Sequence, residues 1–140
     1  MAGAPRKRRG RGNRSLGWLG ERIASLYLRA RGLRLVARNV RWGRDEIDLV
    51  FLDGRTLVFV EVKARTRVAS RLELDPFAAI DRRKRRALRR AARAYLARSR
   101  LRADEYRCAR VDGVAIEFAR IGPLRVPVRL FWERALDTLD

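Results

Sequence analysis

The chain has 140 residues, 47% of them hydrophobic, and 35 Lys and Arg against 16 Asp and Glu give a formal net charge of +19. It contains no histidine, which excludes His-based acid–base catalysis, Ser-His-Asp triads and most zinc sites. The single cysteine, Cys108, excludes an intramolecular disulfide and fits a reducing, cytoplasmic compartment.

The N-terminal part of the sequence predicts a basic tail followed by one domain. Residues 1–14 are rich in Gly and Arg without periodicity and predict a flexible tail, which either binds phosphates or serves only solubility. Residues 15–140 have the length of a single domain with its own core. The domain opens with a helix that Ser15 can cap, in which apolar residues recur at helical spacing until Gly32 ends it.

Three strands are predicted next in the chain. They cover residues 33–41, 45–52 and 56–67, and the dipeptide Asp53-Gly54 indicates a hairpin between the second and the third. Residues 68–75 are predicted to form a loop.

A strongly basic second helix is predicted to begin at Pro76, a residue that suits the first helical position. Lys84 falls on its inner stripe, where a lysine must snorkel outward or have a partner. Strands over residues 110–118 and 126–131 and a short C-terminal helix complete the order. The inner face of the basic helix carries Phe77, Ile80, Leu88, Ala91 and Tyr95, and its outer face carries Arg82, Arg83, Arg85, Arg86, Arg89, Arg90 and Arg93.

The hairpin places several charged residues on one face of the second and third strands. If Asp53 and Gly54 form the loop, Asp48 lies opposite Phe59 and Glu46 lies opposite Glu61. The acidic face then carries Glu46, Asp48, Val50, Phe59, Glu61 and Lys63, and the core face carries Ile47, Leu49, Phe51, Val58, Val60 and Val62.

Carboxylates that lie opposite one another repel, so this face needs compensation. Lys63 supplies one positive charge, and Mg²⁺ or Mn²⁺ would supply more, because hard cations prefer oxygen ligands. A cation held by Asp48 and Glu61 would polarise a phosphodiester, and Lys63 would stabilise charge in the transition state. The alternative is that these side chains are solvated residues on the outer face of an amphipathic sheet.

Asp48, followed after a hairpin by Glu61-Val62-Lys63, resembles the PD-(D/E)XK nuclease superfamily. More closely, the chain resembles the YraN-like family of uncharacterised bacterial proteins. The resemblance runs from about Gly17 to Ile116. Its clearest stretches are Gly17-Trp-Leu-Gly-Glu21, Glu46-Ile-Asp-Leu-Val50 and Leu57-Val-Phe-Val-Glu-Val-Lys63.

The resemblance implies an α/β, restriction-endonuclease-like core, in which a four-stranded mixed sheet is flanked by helices in the order α-β-β-β-α-β. It also implies that Asp48 and Glu61 are metal ligands, that Lys63 is the catalytic lysine and that Glu21 is the first-helix acid of resolvase-like members. The chain departs from the pattern at Ile47, where the superfamily has proline. A further departure is Asp45, which replaces a glycine and whose role stays open.

These expectations combine into a Mg²⁺- or Mn²⁺-dependent DNA endonuclease that acts on structured or branched DNA. Its catalytic residues are Asp48, Glu61, Lys63 and Glu21, and its metal ligands are Asp48, Glu61 and Glu46. Basic residues expected to contact nucleic acid are Arg38, Arg41, Arg65, Lys84, Arg82, Arg85, Arg86 and Arg89.

Alternatives to this function remain at this stage. In the first alternative, the chain is a non-catalytic DNA- or RNA-binding module with a vestigial acidic site. A membrane-surface role is disfavoured, because the inner stripe of the basic helix lacks the Trp and Leu of interfacial helices and is needed for the core. A homodimer stays open, and Asp112 either approaches the site or forms a strand-end salt bridge.

Overall fold

A computed structural model describes residues 11–67, 75–101 and 104–139, with side chains from Ser15 onward. Neither of the helices in these ranges is long and apolar enough to cross a membrane. The elements, in chain order, are α1 (Arg11–Ala30), β1 (Arg34–Trp42), β2 (Asp45–Asp53), β3 (Thr56–Thr66), α2 (Arg82–Arg98), β4 (Cys108–Ile121) and β5 (Leu124–Leu139).

The strands form one mixed sheet in the order β1-β2-β3-β4-β5, which confirms the α/β class. The β3–β4 pair is parallel, and the other three pairs are antiparallel. The sheet has five strands where four were expected, because β5 pairs with β4 along most of its length. The predicted C-terminal helix is therefore wrong: the last residues before 140 continue β5, and the strand predicted at 126–131 is the middle of it.

Each face of the sheet is covered by a helix, and this produces two cores. The core under α1 includes Leu28, Phe51, Val58, Val60 and Ile116. The core under α2 includes Ile47, Val50, Phe59, Leu88 and Ala92. Val50 and Phe59 on the acidic face are fully buried, and Glu61 is 4% exposed, so the solvated-face alternative is wrong for these residues; the Glu46 side chain is 38% exposed.

Both helices begin at residues other than those predicted. Helix α1 begins at Arg11, so the expected cap at Ser15 is wrong and the last four residues of the predicted tail are helical; residues 1–10 lie outside the described residues. Helix α2 begins at Arg82, because the Asp81 side chain accepts a hydrogen bond from the Lys84 amide at 2.9 Å and caps it. Residues 76–80 form turns instead, and the loop predicted at 68–75 lies outside the described residues apart from Asp75.

The β2–β3 hairpin is displaced by two residues from the predicted register. Asp53 pairs with Thr56, so Gly54 and Arg55 form the turn, and Gly54 adopts a positive φ of 59°. The displacement preserves which residues share a face, and Val50 rather than Asp48 lies opposite Phe59. The ladder ends at Leu49↔Val60, and beyond this pair β2 and β3 separate.

The strand alternation is interrupted where β2 and β3 separate. Ile47 and Val50 are three residues apart, yet both contact the core under α2, although strict alternation would place them on opposite faces. In β1, Asn39 lies between the partners of Ile47 and Leu49 and adopts a positive φ of 49°. The assignment of Ile47 to the same face as Leu49 is therefore wrong, and this kink positions Asp48 at the gap in the ladder.

Candidate active site

Asp48 lies in the gap that opens between β2 and β3. Its Oδ2 accepts a hydrogen bond from the Val62 amide at 2.7 Å, so the carboxylate takes the place of a backbone acceptor that the next ladder pair would have supplied. This bond fixes Asp48 beside Glu61, one residue before Val62. The kink and the interrupted ladder thus bring Asp48 and Glu61 together, although they are distant in sequence.

Glu61 is the most enclosed acid of this cluster, with 4% of its surface exposed. Its Oε1 lies 3.1 Å from the Lys63 Nζ and 3.2 Å from the Lys84 Nζ. Its Oε2 is buried and has no hydrogen-bond partner among the described residues. A buried carboxylate oxygen without a hydrogen-bond partner is costly, so this atom is available to accept a hydrogen bond or to bind a cation.

The crowding of carboxylates changes the protonation of Asp48. Burial and then the Glu61 charge raise the pKa of Asp48 from 3.8 to about 8, against the Val62 hydrogen bond, which lowers it. Glu21 and Glu46 raise the pKa further through their charges. In the absence of a cation, Asp48 therefore keeps its proton at neutral pH.

Glu21 reaches the cluster because α1 packs closely on β3. A Cβ added at Gly20 would lie 2.8 Å from the Cβ of Ala64, so only glycine permits this approach. The next residue, Glu21, is partly buried and near enough to raise the pKa of Asp48. The structure therefore places Glu21 near enough to Asp48 for an electrostatic effect, and its role as an acid of the site stays a prediction.

Glu46 lies at the margin of the cluster. Its predicted position directly opposite Glu61 is wrong, because the β2–β3 ladder ends before it is reached. Instead, Glu46 pairs with Arg41 across β1 and β2, with Arg41 Nη2 3.4 Å from Glu46 Oε1, and its side chain is 38% exposed. Among the acids that raise the pKa of Asp48, Glu46 has the smallest effect.

The acids of the cluster offer oxygen ligands, the kind that Mg²⁺ and Mn²⁺ prefer. In the described ranges no three Asp, Glu or Cys side chains converge closely enough to hold a metal by themselves. Mg²⁺ does not require three, since it commonly binds through one or two carboxylates and retains several waters. Asp48 and the unpartnered Oε2 of Glu61 supply two such oxygens.

Comparison with known sequences places these residues in a family. The profile of the uncharacterised protein family UPF0102 matches residues 20–116, which include Glu21, Asp48, Glu61, Lys63 and Lys84. The chain belongs to this family. Membership carries over a shared domain and no activity, because the family is uncharacterised.

Several members of the UPF0102 family are similar over most of their length. The UPF0102 protein of Beutenbergia cavernae is 44% identical over 112 residues, covering 80% of this chain and 90% of the relative. That of Methylorubrum populi is 44% identical over 123 residues, covering 88% and 91%. The match to the Chlorobaculum tepidum protein is shorter, with 46% identity over 82 residues that cover 59% of this chain and 61% of the relative.

Two of the arginines predicted to contact nucleic acid lie on β1 and β3, the strands on either side of β2. Arg38 on β1 is exposed, and its Nη2 lies 3.4 Å from the Ser25 Oγ of α1. Arg65 on β3 lies two residues beyond Lys63 and forms an ion pair with Glu117. Arg41 pairs with Glu46 at 3.4 Å, and its side chain is 72% exposed.

The predicted arginines of α2 divide into structural and open positions. Arg85 donates to the carbonyl oxygens of Ile80 at 3.3 Å and Leu136 at 3.0 Å, so it joins α2 to β5. Arg82 and Arg86 are exposed and form no ion pair with the described residues. A shallow groove of about 340 Å³ follows one stripe of the helix and is lined by Arg86, Arg89, Arg90 and Arg93.

Sequence reasoning missed two partners and left a third residue open. The Lys84–Glu61 ion pair was not anticipated, although a lysine on the inner stripe of α2 was its signal. Glu117, 2% exposed and paired with Arg65, carried no signal because β4 is buried on both faces. Asp112 is fully buried, is bound by Arg110, Trp132 and the Ala135 amide, and has a structural role in mid-strand instead of at a strand end.

Proposed function

We propose that this protein is a Mg²⁺- or Mn²⁺-dependent DNA endonuclease with a restriction-endonuclease-like core of the PD-(D/E)XK type, and that its substrate is structured or branched DNA. The observation that carries the proposal is the environment of Glu61. One oxygen of this buried carboxylate is held by two ammonium groups, and the other has no hydrogen-bond partner among the described residues. The carboxylate is also close enough to Asp48 to raise the pKa of that residue.

The residues of the cluster have distinct roles in this proposal. Asp48 and Glu61 would hold the cation, with Glu46 and Glu21 in support. A bound cation of this kind supplies a Lewis acid and lowers the pKa of water. Lys63, whose side chain is 28% exposed, holds Glu61 with its Nζ and can also reach a phosphate from that position. It would stabilise the negative charge that develops on the phosphate in the transition state.

The surroundings of the cluster favour a polyanionic substrate. Helix α2 starts beside the site through Lys84 and carries the arginine-lined groove along its outer stripe. Arg89 pairs with Asp137 and Arg90 with Asp45, whereas Arg86 and Arg93 form no ion pair with the described residues. Phosphates would supply the anions that these last two arginines lack. Contacts of this kind position a nucleic acid without reading its sequence.

One observation favours a second candidate, a nucleic-acid-binding module without catalysis. Lys63 and Lys84 together neutralise Glu61 without a metal ion. If this pairing persists in the presence of metal, the acidic cluster is a structural ion-pair network and the arginines alone carry the function. The two candidates differ in whether a divalent cation changes what the protein does to DNA.

The test is cleavage of single-stranded, duplex, flapped and four-way-junction DNA with Mg²⁺, Mn²⁺ or EDTA. We expect cleavage with Mg²⁺ or Mn²⁺ and none with EDTA. In Lys63→Ala, cleavage should fall at least about 100-fold, the size of effect seen when one transition-state donor is removed. DNA affinity should change little, because Lys63 is one of 35 basic residues.

The matched control is Arg86→Ala, which removes one positive charge from an exposed site on α2. It should weaken binding slightly and leave the cleavage rate at saturation unchanged. Binding without cation-dependent cleavage of any substrate in the panel would favour the non-catalytic module. Equal cleavage by the parent and Lys63→Ala would remove Lys63 from the mechanism.

A further inference from the structure

The β4–β5 hairpin extends beyond the rest of the sheet. Pairing between β3 and β4 ends at Thr66↔Phe118, whereas pairing between β4 and β5 continues to Ile121↔Leu124. Among the described residues, the pairs from Ala119↔Val126 onward therefore form a two-stranded ribbon with no third strand beside it. Gly122, with a positive φ of 58°, begins the turn at its tip.

The tip of this ribbon is apolar. Ile121 and Leu124 lie directly opposite each other and are 60% and 63% exposed, and Pro123 between them is exposed as well. Single exposed apolar side chains are common on proteins. Two large ones paired at the end of a projecting hairpin form a small wedge that no described part of the chain covers.

The ribbon below the tip is basic. Arg120 and Arg125 lie directly opposite each other, an arrangement that destabilises a strand pair unless an anion compensates it. Residues 119–129 contain three arginines and no Asp or Glu, so the compensation does not come from the ribbon itself. Arg125 Nη1 lies 3.4 Å from the Thr66 Oγ1, which is neutral.

We propose that this hairpin is a second nucleic-acid contact, in which Arg120 and Arg125 bind phosphates and Ile121 and Leu124 insert against bases at a branch or other unstacked step. Proteins insert Ile, Leu and Pro side chains between base steps in this manner. The inference rests on the nucleic-acid binding proposed above and adds the reason that branched DNA is preferred. Unstacking is cheapest where the stack is already interrupted.

The hairpin is joined to the acidic cluster through the hydrogen-bonded strands of the sheet. Lys63 pairs in register with Ala115 of β4, six residues before Ile121 on the same strand. At the rise of a β-strand this separates the tip from Lys63 by about 20 Å. A branch held at the tip would therefore fix the position of the DNA backbone relative to Asp48 and Glu61.

An anionic membrane is the other surface that a basic hairpin with an apolar tip can meet. Stable membrane attachment requires a large apolar area or a second anchor. The exposed apolar pair of the tip is small for that purpose, whereas a wedge between bases needs only one or two side chains. The observations therefore favour DNA, and lipid binding becomes an outcome of the test.

The test compares the parent with the double variant Ile121→Ser/Leu124→Ser on a four-way junction and on linear duplex of equal length. We expect about a tenfold loss of affinity for the junction, because two apolar side chains no longer pack against the bases, and less than about a twofold loss on duplex. A 2-aminopurine base beside the branch should become more fluorescent when the parent binds and unstacks it. The double variant should lack that response.

The matched control is Leu26→Ser, which removes a leucine that is 66% exposed on α1 and far from the ribbon in sequence. It should behave as the parent does. The single variant Leu124→Ser should show part of the effect. It replaces the double variant in the test if the double variant has a lower Tm than the parent. Arg120→Gln/Arg125→Gln should weaken binding to both substrates and reduce the salt dependence by about 0.9 in the log–log slope for each phosphate that is no longer neutralised.

The outcomes separate this inference from the proposed function. If the parent binds and cleaves junctions and the double variant does so equally well, the hairpin inference is wrong and the nuclease proposal stands. If the parent binds neither substrate, the proposed function fails and the inference fails with it. Loss of binding to phosphatidylserine vesicles in the double variant, with junction binding intact, would assign the hairpin to membranes instead.

Discussion

Asp48 takes up a proton when the chain folds. Its pKa is 3.8 in an ordinary environment and about 8 in the folded protein, because burial and the Glu61 charge disfavour the ionised form. Between these values the folded protein binds more protons than the unfolded chain, so its stability falls as pH rises and levels off above about pH 8. Neutral Asn at this position does not titrate.

This linkage predicts how Asp48→Asn compares with the parent in EDTA. The free energy of unfolding of the variant minus that of the parent should increase as pH rises from about 4 to about 8. Above about pH 8 this difference should stay constant. Urea denaturation of both proteins at about pH 5, 7 and 9 measures it. A difference that does not change with pH would show that Asp48 is ionised in the folded protein.

The residue types of the site could be predicted from the sequence, but not all their partners. Asp48, Glu61 and Lys63 were recognisable, because two strands joined by a hairpin bring them close whatever the details of the turn. Lys84 comes from α2, after a long connection, and its contact with Glu61 depends on how the helix lies on the sheet. The inner position of Lys84 indicated a partner without indicating which one.

Among the elements, those with strong local signals were predicted best. The bounds of β1, β2 and β3 were predicted to within one residue at each end. The start of α2 was not, because Pro76 and Asp81 are both good start signals, and the capping bond from Asp81 decides between them. The end of β5 is set by pairing with β4, a distant contact that overrides local helical preference.

The β4–β5 pair depends on the buried acid Asp112. It accepts hydrogen bonds from Arg110 Nε at 2.9 Å, Trp132 Nε1 at 3.0 Å and the Ala135 amide at 2.9 Å. It lies within the register shift between β4 and β5 and holds Ala135, whose φ is +53°, in the left-handed region. The bulge therefore has a local cause in one carboxylate.

We expect Asp112→Ala to lower the free energy of unfolding by about 3 kcal/mol, because the Trp132 Nε1 and the Ala135 amide lose their acceptor and the largely buried Arg110 keeps only Asp53 as an ion-pair partner. The control is Glu133→Ala, at an exposed position on β5, which should change it by less than about 0.5 kcal/mol. Urea denaturation of the three proteins measures both effects. Similar losses in the two variants would contradict the structural role of Asp112.

At the scale of the whole molecule, the net charge of +19 predicts salt-sensitive binding to nucleic acid. The log–log slope of affinity against salt should be about −0.9 for each phosphate neutralised on duplex DNA. Deleting residues 1–10, which contain Arg6, Lys7, Arg8 and Arg9, should make the slope shallower if this segment binds phosphates. Filter-binding titrations over a range of salt concentrations measure it, and a slope near zero in the intact protein would rule out an electrostatic contact.

The layering of the domain limited what the sequence could predict of its site. Alternation along β2 and β3 suggested one core face and one open face, but helices cover both faces and make Val50 and Phe59 core residues. The interruption of the alternation at Asp48 lies opposite Asn39 of β1, whose φ is positive, and the sequence alone does not predict either irregularity. Glu117 was not predicted as a site residue, because the sequence of a strand that is buried on both faces does not distinguish a functional acid from a structural one.

The central claim is that Asp48 and Glu61 bind a divalent cation, and thermal melting of the parent and Asp48→Asn with EDTA or Mn²⁺ tests it without knowledge of the substrate. In EDTA at neutral pH, the variant should melt no lower than the parent, because Asp48 is already protonated. At Mn²⁺ a hundredfold above its Kd, the parent should gain about 2.7 kcal/mol and the variant much less. Equal shifts in Tm on adding Mn²⁺ to the two proteins would contradict the metal site and the nuclease built on it.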